Sequence, residues 1–116
     1  MEQEDVKTYY LALDLKDDPK LIEEYKSYHR SDRIWPEVVQ TIKEDGVLSE
    51  EIYLAGTRMV MVLTTTDEFS FEEKAEKLRA NATMREWEKL MWNYQQTIPG
   101  ARPGEKWVMM EKIFQA

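Results

Sequence analysis

The hydrophobic period of this chain changes from two to between three and four, and back again, twice within 116 residues. Few folds accept that rhythm. Residues 8–15, TYYLALDL, put Tyr9, Leu11, Leu13 and Leu15 on one face of a strand. KDDP breaks the strand; Asp18 can cap a helix with Pro19 in its first turn, where a missing N–H does no harm. Offsets of three and four then align Leu21, Ile22, Tyr25, Tyr28 and His29. RSDR interrupts this helix, and IWPEVVQTIKEDG resumes it with Pro36 near a first turn and Gly46 just past the end.

Residues 47–66 read as two strands around an Ala55-Gly56-Thr57 turn, and the apolar run MVMVLT predicts a central strand. The segment after it is helical in composition, with a short helix expected to Leu78 and a second over Thr83–Thr97. The second would align Met84, Trp87, Met91 and Tyr94. PGARPGE is a loop, and residues 106–115 are expected as a last strand. The order β, α(α), β, β, α(α), β predicts a ferredoxin-like split βαβ domain of the α+β class, one antiparallel sheet with helices on one face. Residues 7–116 form this single domain and residues 1–6 a flexible N-terminus. A last strand apolar on both sides, and a second sheet face left open, predict a homodimer.

Composition removes several functions. A formal charge of −7, with no basic run longer than two residues, argues against nucleic acid and anionic membrane surfaces. No apolar run approaches the ~18 residues of a membrane span. With no cysteine there are no disulfides or thiolate ligands, and the opening MEQEDVK has no apolar signal core, so a cytoplasmic protein is expected. One histidine and no cysteine support a metal site only weakly, and no phosphate loop, nucleophile elbow or HExxH motif is present, so neither metal nor cofactor is expected.

The chemistry-bearing candidate is Tyr25-x-x-x-His29, one helical turn apart. A phenol can orient a substrate hydroxyl, and an imidazole with an ordinary pKa near ~6.5 exchanges protons at neutral pH. The plainer reading is a histidine at a helix end, favoured by the macrodipole. Spacing alone leaves that plainer reading ahead. Most of the four tryptophans and six tyrosines should be core. Trp87 and Trp92, five apart, do not share a stripe, so at most one faces a pocket.

The ordered segments EEYKSYH, IWPEV, EIYL and REWEKLM change the balance. Together they resemble the L-rhamnose mutarotase family, from about Lys7 to the C-terminus, most specifically in E-Y-x-x-x-H followed by I-W-P-E. The resemblance implies a dimeric α+β barrel without a cofactor that interconverts the anomers of a free deoxy-sugar. It implies His29 as the general acid and Tyr25 as a sugar contact. Two family substrate contacts differ here: a tyrosine before the I-Y-L strand is Glu50, and a Trp-Trp pair on the late helix reads Trp87-Glu88. The connection RSDRIW is also about two residues longer than is usual in the family. These departures fall on substrate contacts and so bear on the sugar more than on the reaction.

On this reading His29 gives a proton to the ring oxygen, and Tyr25, Glu50 or a water takes one from the anomeric hydroxyl. Trp87, Glu50 and Glu88 join Tyr25 as substrate-binding residues. The rival is a non-catalytic sugar-binding or regulatory module on the same dimeric scaffold, favoured by the two changed contacts. Other chemistry hosted by such barrels rests on fold analogy alone.

Overall fold

The computed structural model describes residues 5–116. The expected flexible N-terminus lies largely outside them, with residues 1–4 not described and the first strand starting at Val6. The elements follow the expected rhythm: β1 (Val6–Leu15), α1 (Pro19–Tyr28), α2 (Pro36–Glu44), β2 (Val47–Ala55), β3 (Arg58–Thr66), α3 (Phe71–Ala80), α4 (Ala82–Trp92), β4 (Gln95–Gln96) and β5 (Val108–Met109). All strand pairs are antiparallel in the order β2-β3-β1-β4, with β5 also on β1. This is the ferredoxin-like α+β arrangement.

Local chemistry sets the element ends. The Asp18 carboxylate accepts from the Lys20 and Leu21 amides at 2.9 and 3.3 Å, and Asn81 caps α4 through the Met84 amide at 3.1 Å. Gly46 ends α2 with φ 92°, a conformation that favours glycine; a Cβ there would also sit 3.1 Å from Thr66 Oγ1. Gly56, with φ 61°, turns the β2–β3 hairpin.

Register decides which side chains meet the helices. Tyr9, Leu11 and Leu13 oppose Leu63, Met61 and Met59, and these oppose Glu50, Ile52 and Leu54 of β2. All nine share the inner face. A bulge between Val47 and Ser49 turns Val47 inward as well and leaves Leu48 exposed. Leu13, Leu15 and Met59, each almost fully enclosed, join Tyr25, Val38, Met84, Trp87 and Met91 in the main core. The outer face carries Tyr10, Tyr53, Val60 and Val62, and Tyr10 and Tyr53 are exposed.

Two boundaries differ from expectation. The second late helix stops at Trp92 rather than Thr97. Asn93 caps it, its side-chain amide donating to the Lys89 and Leu90 carbonyls at 3.5 and 3.2 Å, and Gln95 and Gln96 turn to pair with Leu15 and Asp14. Sheet pairing overrides the helical spacing. The last strand is also much shorter than 106–115: Val108–Met109 alone pair with Ala12 and Leu11. β4 and β5 are thus two pieces of one edge strand, interrupted by residues 97–107 with their two Pro-Gly turns. Beyond Met110, Glu111 and Lys112 break the apolar run, and Ile113 and Phe114 find no inner face to cover.

Candidate active site

His29 caps the C-terminal end of α1, so its ring is placed by the helix that carries Tyr25. Its Nδ1 lies 2.8 Å from the Tyr25 carbonyl oxygen. A carbonyl only accepts, so Nδ1 holds the proton and the neutral ring presents the Nε2 lone pair. Burial pushes the imidazole pKa below its ordinary value; the bond to the Tyr25 carbonyl opposes this but does not cancel it. The ring packs 4.5 Å from Tyr25 and edge-on to Trp87 at 5.6 Å, centroid to centroid.

Tyr25 is buried, and desolvation pushes its phenol up to about 12, aided by the nearby Glu88 and Glu50 charges and opposed by Gln95. The Gln95 side-chain amide donates to the phenol oxygen at 3.1 Å, which leaves the phenol's own proton to be given elsewhere. Glu50 points inward from β2. Burial raises its carboxyl pKa, the Lys74 ammonium lowers it, and Glu88 raises it further. Lys74 is itself held by buried Asp45 at 3.5 Å. Glu88, on α4, reaches the rim of the site, 3.7 Å from Lys106, whose ammonium lies over the Trp92 ring.

The five residues singled out from sequence, His29, Tyr25, Glu50, Trp87 and Glu88, all line one inner cavity of about 270 Å³. A wider groove of about 640 Å³ between the α1–α2 segment and β2 shares Tyr25, His29, Ile34, Ile42, Glu50 and Ile52 with it. Trp92 stands outside, as the spacing argument required of one tryptophan of the pair. Lys74, Gln95 and Trp107 also line the cavity and were not singled out in the sequence as site residues. Trp107 follows a loop signal and belonged to the expected last strand, and Lys74 looked like one of many helix-surface charges. Among the described residues no group of three or more His, Cys, Asp or Glu is placed to hold a metal ion. No described helix is long and apolar enough to cross a membrane.

A neutral imidazole, a carboxyl raised by burial and a phenol fixed as a donor suit acid/base work on a hydroxylated ligand. The comparisons with known proteins agree in kind. The family model for L-rhamnose mutarotase matches residues 8–116. The chain belongs to the L-rhamnose mutarotase family. An L-fucose mutarotase of Xanthomonas campestris pv. campestris is 39% identical over 103 residues, covering 89% of this chain and 82% of that protein. A UPF0734 protein of Dictyostelium discoideum is 35% identical, covering 98% of this chain and 93% of its own. The crystal structure of an L-rhamnose mutarotase from Formosa agariphila superposes with a TM-score of 0.67 at 19% identity, covering 95% of this chain and 98% of that one. At that identity the likeness speaks for the fold.

Membership of the mutarotase family makes the chain an isomerase acting on carbohydrates, of the class that interconverts sugar anomers. Within that frame the two departures from the family pattern are not surface noise. Glu50 and Glu88 both line the cavity.

Proposed function

We propose that this protein catalyses anomer exchange of a free deoxyhexose of the rhamnose or fucose kind, with His29 and Glu50 as its acid/base pair. One observation carries the reading: the neutral His29 ring and the Glu50 carboxyl line the same small cavity from opposite elements, α1 and β2. The cavity's size, just below the usual ~300–1,000 Å³ of ligand pockets, suits a single sugar ring.

Burial disfavours the charged form of both groups, which favours the pair with Glu50 protonated and His29 neutral over the pair with both charged. His29 Nε2 takes the anomeric hydroxyl proton while the ring C–O bond breaks and Glu50 gives its proton to the ring oxygen. This differs from the assignment the resemblance implies, in which His29 serves the ring oxygen as acid. The open aldehyde rotates about its C1–C2 bond. The new ring hydroxyl then returns its proton to Glu50, the carbonyl oxygen takes one from His29, and closure on the other face gives the other anomer. Atoms and charge balance without an external acceptor. Trp87 packs the sugar's C–H face and Glu88 accepts from a hydroxyl at the rim.

The test is NMR saturation transfer between the α and β anomeric protons of L-rhamnose and L-fucose. The wild type is expected to accelerate exchange of at least one, and His29→Ala to lose it with the fold intact. Saturable binding without acceleration would leave the non-catalytic binding module instead. A homodimer belongs to the same proposal. The open outer sheet face, with Tyr10 and Tyr53, and the departing Ile113 and Phe114 are apolar surface that a second copy covers with its own equivalent. A monomeric mass in light scattering at micromolar concentration would refute that part.

A further inference from the structure

We propose that Gln95 is a specificity-determining residue of this site: it accepts a hydrogen bond from a ring hydroxyl of the bound sugar. The inference rests on the mutarotase reading for the ligand class and adds to it a residue that the family pattern does not name.

One buried side-chain atom at the site has no partner within the described protein groups. Gln95 is 4% exposed, and its side-chain oxygen Oε1 is buried with no donor among the described protein groups. A buried acceptor without a partner costs ~1–3 kcal/mol, so such atoms persist where something else satisfies them. Gln95 lines the inner cavity, together with His29, Glu50 and Trp87. Its amide cannot simply turn round to solve the problem. Its nitrogen is engaged with the Tyr25 phenol at 3.1 Å, and a flipped amide would leave the nitrogen orphaned instead.

The pairing also makes the site directional. Because Gln95 donates to the Tyr25 oxygen, the phenol's proton is free for the ligand. Acceptor and donor then stand side by side: Gln95 Oε1 and the Tyr25 O–H. A sugar hydroxyl matches both at once, giving its proton to Gln95 and accepting that of Tyr25. A carbon lacking that hydroxyl leaves both buried groups unpaired, which is how a polar site rejects a deoxy analogue far more strongly than an apolar one does. Backbone placement supports precision. Gln95 pairs with Leu15 in the sheet, and its neighbour Tyr94, also buried, donates its hydroxyl proton to Glu24 at 2.7 Å. The residue sits on a pinned strand and not on a mobile loop.

The experiment crosses protein variants with ligands. Wild type, Gln95→Met and Gln95→Glu are compared on L-rhamnose and L-fucose and on analogues each lacking one ring hydroxyl. Two readouts are taken: anomer exchange by NMR and sugar affinity by tryptophan fluorescence, since Trp87 and Trp107 line the cavity. The wild type should prefer the parent sugar over one analogue by about tenfold or more. Gln95→Met, of similar volume, should bring that ratio to within about twofold of unity, and Gln95→Glu, which keeps an acceptor but loses the donor that frees the Tyr25 proton, should fall between Gln95→Met and the wild type. Unchanged ratios in Gln95→Met, with all ligands weakened alike, would make Gln95 merely structural and overturn the proposal. If Gln95→Met does not fold, equal handling of parent and every analogue by the wild type overturns it just as well. Wild-type binding without exchange would sink the catalytic reading while the affinity ratios still judged Gln95. No sugar binding at all would overturn both.

Discussion

Removing one oxygen from Tyr25 separates two ways in which this site can move protons. As a base, Tyr25 must be a phenolate, or become one, at working pH. Its pKa of about 12 lies five units above neutrality, and at about 1.4 kcal/mol per unit ionisation costs ~7 kcal/mol. A positioned base contributes ~10²–10⁴-fold, or about 3–5 kcal/mol, so the cost exceeds the return. As a donor, Tyr25 contributes one hydrogen bond of ~1–1.5 kcal/mol. Tyr25→Phe should therefore lower kcat by about five- to tenfold. It should also lower stability by ~1–3 kcal/mol, because the Gln95 amide loses the hydrogen bond it makes to Tyr25. The assay is NMR anomer exchange at saturating sugar, with urea unfolding beside it. A loss of a hundredfold or more with stability unchanged would place the base on Tyr25 and refute the reasoning.

Two further outcomes follow from the other titrating groups. Glu50→Gln should lose ~10²–10⁴-fold in kcat and yet gain stability at neutral pH. The sign comes from the raised carboxyl pKa: the wild type holds its full share of stability below the ordinary glutamate range and loses it as pH rises through the raised value, whereas glutamine does not titrate. The variant's advantage in urea unfolding should grow from acid toward neutral pH; a constant difference would mean Glu50 is not desolvated. For His29, the ring-proton NMR titration should have its midpoint below the ordinary ~6.5, with stability lost as pH falls through that midpoint. A midpoint above it would put the macrodipole, not burial, in control of the ring.

What the sequence disclosed, and what it withheld, follows from the range of the forces involved. Asp18, Pro19, Pro36, Gly46 and Gly56 act within a few residues of themselves, and the elements they bound stand where they were expected. His29, Tyr25 and Trp87 carry a spacing that survives into three dimensions because one helix holds the first two and a core stripe holds the third. Gln95 was invisible for the opposite reason. Continuing the α4 spacing to Thr97 places it on a helix, and only pairing with Leu15, eighty positions earlier, makes it a strand residue beside Tyr25. Lys74 was hidden in the same way among ordinary charges of α3, distinguished only by its reach to Asp45 and Glu50. The last strand was overread because Met109, Met110, Ile113 and Phe114 look like one apolar run. Pairing with β1 stops at Met109, with one last bond from the Met110 amide to the Tyr10 carbonyl at 2.7 Å, where Glu111 and Lys112 break the apolar run.

On the proposed reading, a site that differs from the family at Glu50 and Glu88 need not have changed its reaction. Anomer exchange asks each group to give a proton in one half of the cycle and to take it in the other. A strong acid with a strong base would run ring opening well and ring closure badly, because their conjugates are a weak base and a weak acid. Histidine and glutamate begin about two units apart, and the same burial lowers one and raises the other, so the cavity brings them closer without any specific partner. That matching depends on the inward register of β2 and on the α1 C-terminus, not on the groups that read the sugar's hydroxyls. Contacts such as Glu88 and Gln95 can therefore vary to select a sugar while the proton exchange they surround stays the same.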